Sequence, residues 1–316
     1  MTTTDIGAVR VAVIGYGEVG TIFSRALVAQ GVAGVAAYDI LVDTDRATEL
    51  RARANRDGVT LATTNAQALV GATLVVSAVT AHSTFDAART TATTIAPGAF
   101  YLDLNSASPR TKQRCGEAIG SAGGRYVEAA VMTSVPPYGL RVPMLLGGPD
   151  AQGVRALLDA LGLRADVVAD ELGVASAIKM CRSVIIKGME ALFIESLLCA
   201  RAHGVEDAVL ASLGETFSGI DWEKNASYFW SRVVEHGRRR AEEMREAAAM
   251  VDEDGLAPSM AERTAERQAF VAALASAGVF AGVDASAGWR ALADRALDAL
   301  SNEAASARAS PERCTS

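Results

Sequence analysis

The run Gly15-Tyr16-Gly17-Glu18-Val19-Gly20 has the spacing G-x-G-x-x-G. An isolated match means little, because glycines punctuate many turns; here the surroundings make it informative. An apolar run, Val9 to Ile14, precedes it, and a helical stretch, Glu18 to Gln30, follows, with Gly31 as a stop. A second β-rich run ends at Asp39, nineteen residues past Gly20. Three glycines so placed permit a tight turn, close backbone approach to a pyrophosphate, and tight helix–strand packing. The phosphates would meet the unpaired N–H groups and positive end of the helix starting near Glu18. Gly15, Tyr16, Gly17, Glu18, Val19 and Gly20 are therefore candidate dinucleotide-binding residues. A carboxylate at Asp39 accepts hydrogen bonds from a ribose 2′-OH and repels a 2′-phosphate, which favours NAD over NADP. Ile40, not an Arg, follows it; Arg46 lies further along, so NADP is disfavoured rather than excluded.

Lys179 is the second residue able to do chemistry. On a helix turning about 100° per residue, Ser176, Lys179, Ser183, Lys187 and Glu190 share roughly a third of the circumference. Ile178, Met180, Val184, Ile185, Met189, Leu192 and Phe193 surround them. A polar stripe in such company must face a partner, a cleft or water, since unpaired buried charge is costly. A solvated face, an internal Lys–Glu pair and a catalytic amine all meet that demand, and periodicity alone does not choose among them. As chemistry, an ammonium held against a carbonyl oxygen can protonate the alkoxide that hydride transfer leaves. Its free amine can accept a hydroxyl proton in the reverse direction.

The elements that must position these groups fall into two textures. Up to about residue 170, strand-like runs alternate with helical stretches: Val9–Ile14, Val35–Asp39, Leu74–Val79, Phe100–Leu104, Arg125–Val131 and Met144–Gly148, with a helix over Ala151–Leu161. This alternation predicts parallel pairing through right-handed crossovers, hence a Rossmann-type doubly wound sheet over residues 1–171. From 172 to 316 strand signals vanish, and the pattern predicts an all-α domain with helices over Gly173–Arg201, Ser231–Val251 and Met260–Ala277. The tail from Ser301, with Pro311, reads as frayed.

Bulk properties narrow the function classes. The chain has 316 residues and a formal charge of −7, which argues against a general nucleic-acid binder. Met1 to Gly7 is short and polar, without a basic-then-apolar leader. The apolar stretch Ser183–Ala200 is interrupted by Lys187, Glu190 and Glu195, so it is read as a buried helix rather than a membrane span. Cys115, Cys181, Cys199 and Cys314 show no C-x-x-C spacing, which fits a reduced, cytoplasmic compartment. No His/Cys/Asp spacing suggests a metal site. His82 and His203 are read as structural.

Taken in order, five segments resemble the β-hydroxyacid dehydrogenase superfamily, the group containing 3-hydroxyisobutyrate and 6-phosphogluconate dehydrogenases. They are the Gly15 motif, Ser77-Ala78-Val79-Thr80, Asp103-Leu104-Asn105-Ser106-Ala107-Ser108-Pro109, Glu128-Ala129-Ala130-Val131, and Gly173-x5-Lys179. The branch it looks like carries a distinct C-terminal helical domain. The resemblance implies that Lys179 is the catalytic lysine, that Val79, Thr80 and Asn105 border the cofactor, and that Ser106 lies by nicotinamide and substrate. Ser106-Ala107-Ser108-Pro109 also reads as a helix cap with Pro in the first turn, and the two readings are compatible.

Departures from the family pattern bear on substrate. Where the family has Ser-Gly-Gly after its acidic residue, this chain has Met132-Thr133-Ser134, and where it has Asn after the lysine, Ser183. Met132, Thr133, Ser134 and Ser183 are thus candidate substrate contacts for something other than a simple hydroxyisobutyrate-like acid. Ile186 stands where the 6-phosphogluconate enzymes use a carboxylic acid, which speaks against oxidative decarboxylation. Arg238-Arg239-Arg240 could bind a carboxylate, or form i,i+4 pairs such as Arg239–Glu243. The expectation is an NAD(P)-dependent dehydrogenase or reductase acting on CH–OH groups of a small, anionic hydroxy- or oxo-acid, working as a homodimer. An imine reductase and a non-catalytic NAD(H) sensor are the competing readings.

Overall fold

Residues Arg10–Ile14 form β1, and their alternation explains its place in the middle of a sheet. Val11 and Val13 point into one apolar cluster with Phe23, Leu27 and Val35, whereas Ala12 and Ile14 point into another with Val75, Tyr101 and Tyr126. A strand buried on both faces needs helices on both sides. The computed structural model describes residues 5–284 and 287–309, and side chains of the last helix as far as Asn302.

The sheet has eight strands: β1, β2 (Gly34–Tyr38), β3 (Thr60–Leu61), β4 (Leu74–Ser77), β5 (Phe100–Asp103), β6 (Arg125–Val131), β7 (Met144–Gly147) and β8 (Ala165–Ala169). Their spatial order is β3-β2-β1-β4-β5-β6-β7-β8. The chain therefore reverses its direction of winding between β1 and β4, which is where open α/β sheets bind ligands at the carboxyl ends of strands. α1 (Glu18–Ala29), α2 (Ala47–Asp57), α3 (Asn65–Ala68), α4 (Thr84–Ala92), α5 (Pro109–Ser121) and α6 (Ala151–Ala160) make the intervening connections.

One pairing differs from the expected all-parallel sheet: β7 runs antiparallel to β6, with Val131 opposite Met144. The connection between them contains only the 3-10 turn Gly139–Arg141, and without a crossover helix the chain re-enters from the edge it left. β8 is then parallel to β7 across α6. β3 and β8 escape the sequence pattern because β3 is two residues long and β8 buries only one of its five.

The second half is helical: α7 (Val174–His203), α8 (Glu206–Thr216), α9 (Trp222–Glu253), α10 (Ser259–Ser276) and α11 (Gly288–Ala309). α9 starts nine residues before the predicted Ser231, where Asp221 Oδ1 accepts the Lys224 N–H in the manner of an N-cap. Its core gathers Phe193, Ile194, Leu197, Trp222, Phe229, Trp230, Val271 and Trp289. α11 continues past Ser301 to Ala309; Pro311 and Cys314 lie outside the described residues, as do Met1–Thr4. No helix of the described residues is long and apolar enough to cross a membrane.

By contacts the chain divides into two units, Met1–Cys181 with Glu253–Gly255, and Arg182–Asp252 with Leu256–Ser316. The sequence places the change at 171/172; by contacts the opening turns of α7, including Lys179, pack with the first unit.

Candidate active site

The three fingerprint glycines do three different things. Gly15 leaves β1 with φ +93°, and a Cβ there would stand 2.4 Å from the Ala78 carbonyl oxygen. A Cβ on Gly20 would stand 1.9 Å from the Gly15 carbonyl oxygen, so helix α1 can lie on the turn only without one. Gly17, the N-cap of α1, has nothing within 4 Å of its Cβ position and no side chain capping the helix. The first-turn N–H groups thus open onto a space that no protein atom fills at Gly17. That is the cradle a pyrophosphate requires, and these residues fit a dinucleotide.

Tyr16 contributes backbone, not its ring. The ring is fully buried and its hydroxyl donates to Asp57 Oδ2 at 3.3 Å; burial first, then the Asp57 charge, pushes its pKa up to about 12. Its N–H donates to Asp39 Oδ2 at 2.7 Å and its carbonyl accepts from Arg53 Nη1 at 3.2 Å. The other Asp39 oxygen accepts the Leu41 N–H at 3.0 Å. Asp39 therefore ties the fingerprint turn to the end of β2 while keeping lone pairs for further donors. Arg46 is drawn to Glu49, which also pairs with Arg53. Glu18 is exposed and Val19 half-buried on the first turn of α1. Sequence reading missed Arg53 and Asp57, which carry no local signature.

At the ends of β4 and β5, Asn105 works as a brace. Its Oδ1 accepts the Val79 N–H at 2.7 Å, its Nδ2 donates to Ser77 Oγ at 2.9 Å, and its own N–H donates to Asp103 Oδ1 at 2.9 Å. Both ends of the amide are engaged within the protein, so Asn105 shapes the loops that carry Val79, exposed Thr80 and Ser106. Beneath it Asp103 is fully buried with Lys112, Nζ to Oδ1 3.0 Å, and takes the Tyr126 hydroxyl at 2.6 Å. Burial, reinforced by the Asp103 charge, holds the Tyr101 and Tyr126 hydroxyls well above their usual range. Nothing in the spacing Asp103 to Lys112 announced this pair.

Lys179 Nζ donates to Ser106 Oγ at 2.5 Å, bringing the polar stripe of α7 to the loop after β5. The helix starts against Glu128 of β6, whose buried carboxylate accepts from Gly173 N at 2.9 Å, Ala175 N at 2.7 Å and Ser176 Oγ at 3.2 Å. Ser108 caps α5, accepting the Thr111 N–H at 3.3 Å, with Pro109 in the first turn. Met132 and Ser134, half-buried, and Thr133, exposed, follow β6 in the loop to β7. Ser183 lies four residues beyond Lys179, in the second unit.

The rest of the stripe has a different fate. In the second unit Lys187 Nζ pairs with Glu243 at 2.7 Å, and Glu190 takes Arg240 together with Gln268 Nε2 at 3.2 Å. Burial lowers the Lys187 pKa against the opposing pull of Glu243. Arg240 is thus a buried partner of Glu190, Arg239 pairs with Glu243 at 3.6 Å, and Arg238 lies exposed with Glu242 at 4.0 Å. Among the described residues no group of three or more His, Cys, Asp or Glu could hold a metal ion.

These features match known proteins along most of the chain. Residues 10–162 match the NAD binding domain of 6-phosphogluconate dehydrogenase, and residues 200–271 a domain of unknown function (DUF1932). A conserved hypothetical protein from Sinorhizobium meliloti 1021 is 37% identical over 93% of this chain and 96% of its own, with a TM-score of 0.76. The conserved protein MTH1747, of unknown function and structurally similar to 3-hydroxyacid dehydrogenases, is 32% identical over 84% of this chain and 99% of its own, with a TM-score of 0.66. Mycobacterium tuberculosis 3-hydroxyisobutyrate dehydrogenase, solved with L-serine, is 17% identical over 84% and 94%, with a TM-score of 0.69; at that identity the likeness is one of fold. The glycine cradle, the switch point beside it and these matches together assign the chain to the β-hydroxyacid dehydrogenase superfamily, as an NAD(P)-binding member of a branch with a distinct C-terminal helical domain.

Proposed function

We propose that this protein is an NAD-dependent dehydrogenase or reductase that interconverts a hydroxyl and a carbonyl on a small, anionic hydroxy- or oxo-acid or a related compound. The observation that carries the reading is Lys179 on Ser106, at the carboxyl edge of the strands beside the fingerprint. A bound nicotinamide would supply or take the hydride. The chain's own work is then to place the substrate and manage one proton.

In the reducing direction the Lys179 ammonium hydrogen-bonds the carbonyl oxygen and delivers a proton to it as negative charge builds there. In the oxidising direction the amine takes the hydroxyl proton. The Ser106 hydroxyl, which accepts from Lys179, aims the amine and can turn its own proton toward a substrate oxygen. Met132, Thr133, Ser134 and Ser183 are proposed to line the substrate, Met132 adding apolar bulk. Gly15 to Gly20, Asp39, Val79, Thr80 and Asn105 are proposed to hold the cofactor, with Asn105 acting through the loops it braces. Asp39 supports NAD over NADP because it places a carboxylate at the end of β2 and the nearby Arg46 is paired with Glu49. Homodimerisation belongs to the proposal and is checked by sedimentation.

The test is a panel of hydroxy acids, oxo-acids and cyclic imines followed at the NADH absorbance band. Lys179→Ala is expected to abolish turnover while NADH still binds. Turnover by that variant at near wild-type rate would remove Lys179 from the chemistry, and reduction of imines alone would make the protein an imine reductase.

A further inference from the structure

We infer that Glu128 is the positioning residue for Lys179: its carboxylate clamps the first turn of α7 and so keeps the amine on Ser106. The inference rests on the proposed role of Lys179. Glu128 is fully buried, and among the described residues no lysine or arginine is paired with it. Its charge is met instead by two backbone N–H groups and one hydroxyl at the positive end of a helix thirty residues long. A helix of ordinary design takes its cap from the residue just before it. Here the cap comes from a strand 45 residues earlier.

The surroundings are shaped for that carboxylate. Gly147 lies opposite Glu128 in the β6–β7 ladder, and a Cβ on it would stand 2.5 Å from Glu128 Oε1. Gly173 has φ +101°, which turns its N–H toward the carboxylate, and its own Cβ position is 3.0 Å from Pro109 Cβ. The start of α7 is therefore held on one side by β6 and on the other by the start of α5, three residues past Ser106. Ser176, which donates to Glu128, precedes Lys179 by three residues and so shares its helix face. Any slip or fraying of this turn moves the amine relative to Ser106. A displacement of about 1 Å is enough to cost roughly a hundredfold in rate.

A cap that merely stabilised α7 would give a different result, and the chain's lysine content allows the two to be separated. There are four lysines: Lys112, Lys179, Lys187 and Lys224. Protein carrying 13Cε-lysine should give four resolvable signals, with Lys179 assigned by Lys179→Arg. Glu128→Gln keeps the shape but replaces one acceptor oxygen by an amide NH2 that cannot accept. We expect the Lys179 signal to move or broaden in Glu128→Gln while those of Lys187 and Lys224 stay in place. Ser176→Ala, which removes only the hydroxyl donor, should move the same signal by less, and it decides the matter if Glu128→Gln does not fold. On whichever compound of the panel is turned over, Glu128→Gln should lower kcat by about a hundredfold with NADH affinity unchanged. Folded variants whose Lys179 signal coincides with wild type would overturn the inference and leave Glu128 a stabilising cap. Active Lys179→Ala, by contrast, would overturn the reading of Lys179 itself, whereas the position of the Lys179 signal in Glu128→Gln tests the clamp alone.

Discussion

Asp39 accepts the Tyr16 N–H at 2.7 Å through one oxygen and the Leu41 N–H at 3.0 Å through the other, so one carboxylate organises both the turn after β1 and the turn after β2. This makes the residue proposed to read the ribose also a fastener of the pyrophosphate cradle. Asp39→Ala should therefore weaken NADH binding at least about tenfold, or about 1.4 kcal/mol, and narrow the gap between NADH and NADPH. Fluorescence titration with both cofactors checks it. Equal affinity of the wild type for the two would overturn the assignment of Asp39 as selector.

Gly17 and Gly20 invite a paired experiment. A methyl group at Gly20 collides with the Gly15 carbonyl, so Gly20→Ala should lower stability by roughly 1–3 kcal/mol or more. One at Gly17 meets no protein atom, so Gly17→Ala should leave the melting temperature nearly unchanged while weakening NADH binding. Thermal melts with NADH titrations separate these effects; a Gly17→Ala protein with full NADH affinity would contradict the cradle.

Lys112 and Asp103 form an ion pair with no solvent exposure at either side chain. Removing the cation leaves the Asp103 carboxylate, among the described residues, with the Tyr126 hydroxyl and the Asn105 N–H, neither of which carries a compensating charge. Lys112→Met should cost about 3–5 kcal/mol in denaturant unfolding. A loss below about 1 kcal/mol would contradict the stabilising role assigned to this buried pair.

Lys187 gives a dependence on pH with a definite sign. Its folded pKa lies below the ordinary value near 10.5, because burial outweighs Glu243 and Glu190, while Arg240 adds repulsion. Between the lowered value and 10.5 the unfolded chain binds more protons, so this group makes stability rise with pH across that window. Tyr101 and Tyr126, held high, act in the opposite sense at alkaline pH, so the comparison must be with Lys187→Met. Denaturant melts over a pH series should show wild type gaining on the variant as pH rises. A flat difference would contradict the lowered pKa.

Much of the sheet was legible because an apolar run and the glycine turn that follows it are local signals: Val9 to Ile14 running into Gly15 marks a strand without reference to the rest of the chain. The antiparallel β7 was not legible, since its direction follows from the length and conformation of a connection rather than from the residues of the strand. Asn105 was legible as a residue just past the carboxyl end of β5. That its amide would be engaged by Val79 and Ser77 was not.

The polar stripe of α7 shows where the division falls. By itself the sequence determined that Ser176, Lys179, Ser183, Lys187 and Glu190 share a face, because 3.6 residues per turn is a property of the backbone. Only the tertiary structure decided what each one meets: Ser176 the carboxylate of Glu128, Lys179 the hydroxyl of Ser106, Lys187 the carboxylate of Glu243, and Glu190 the guanidinium of Arg240. Those partners lie 45 or more residues away along the chain, and periodicity carries no information about them. Their placement follows from which helices and strands pack together, and that packing gives one stripe both a candidate catalytic amine and a set of buried ion pairs.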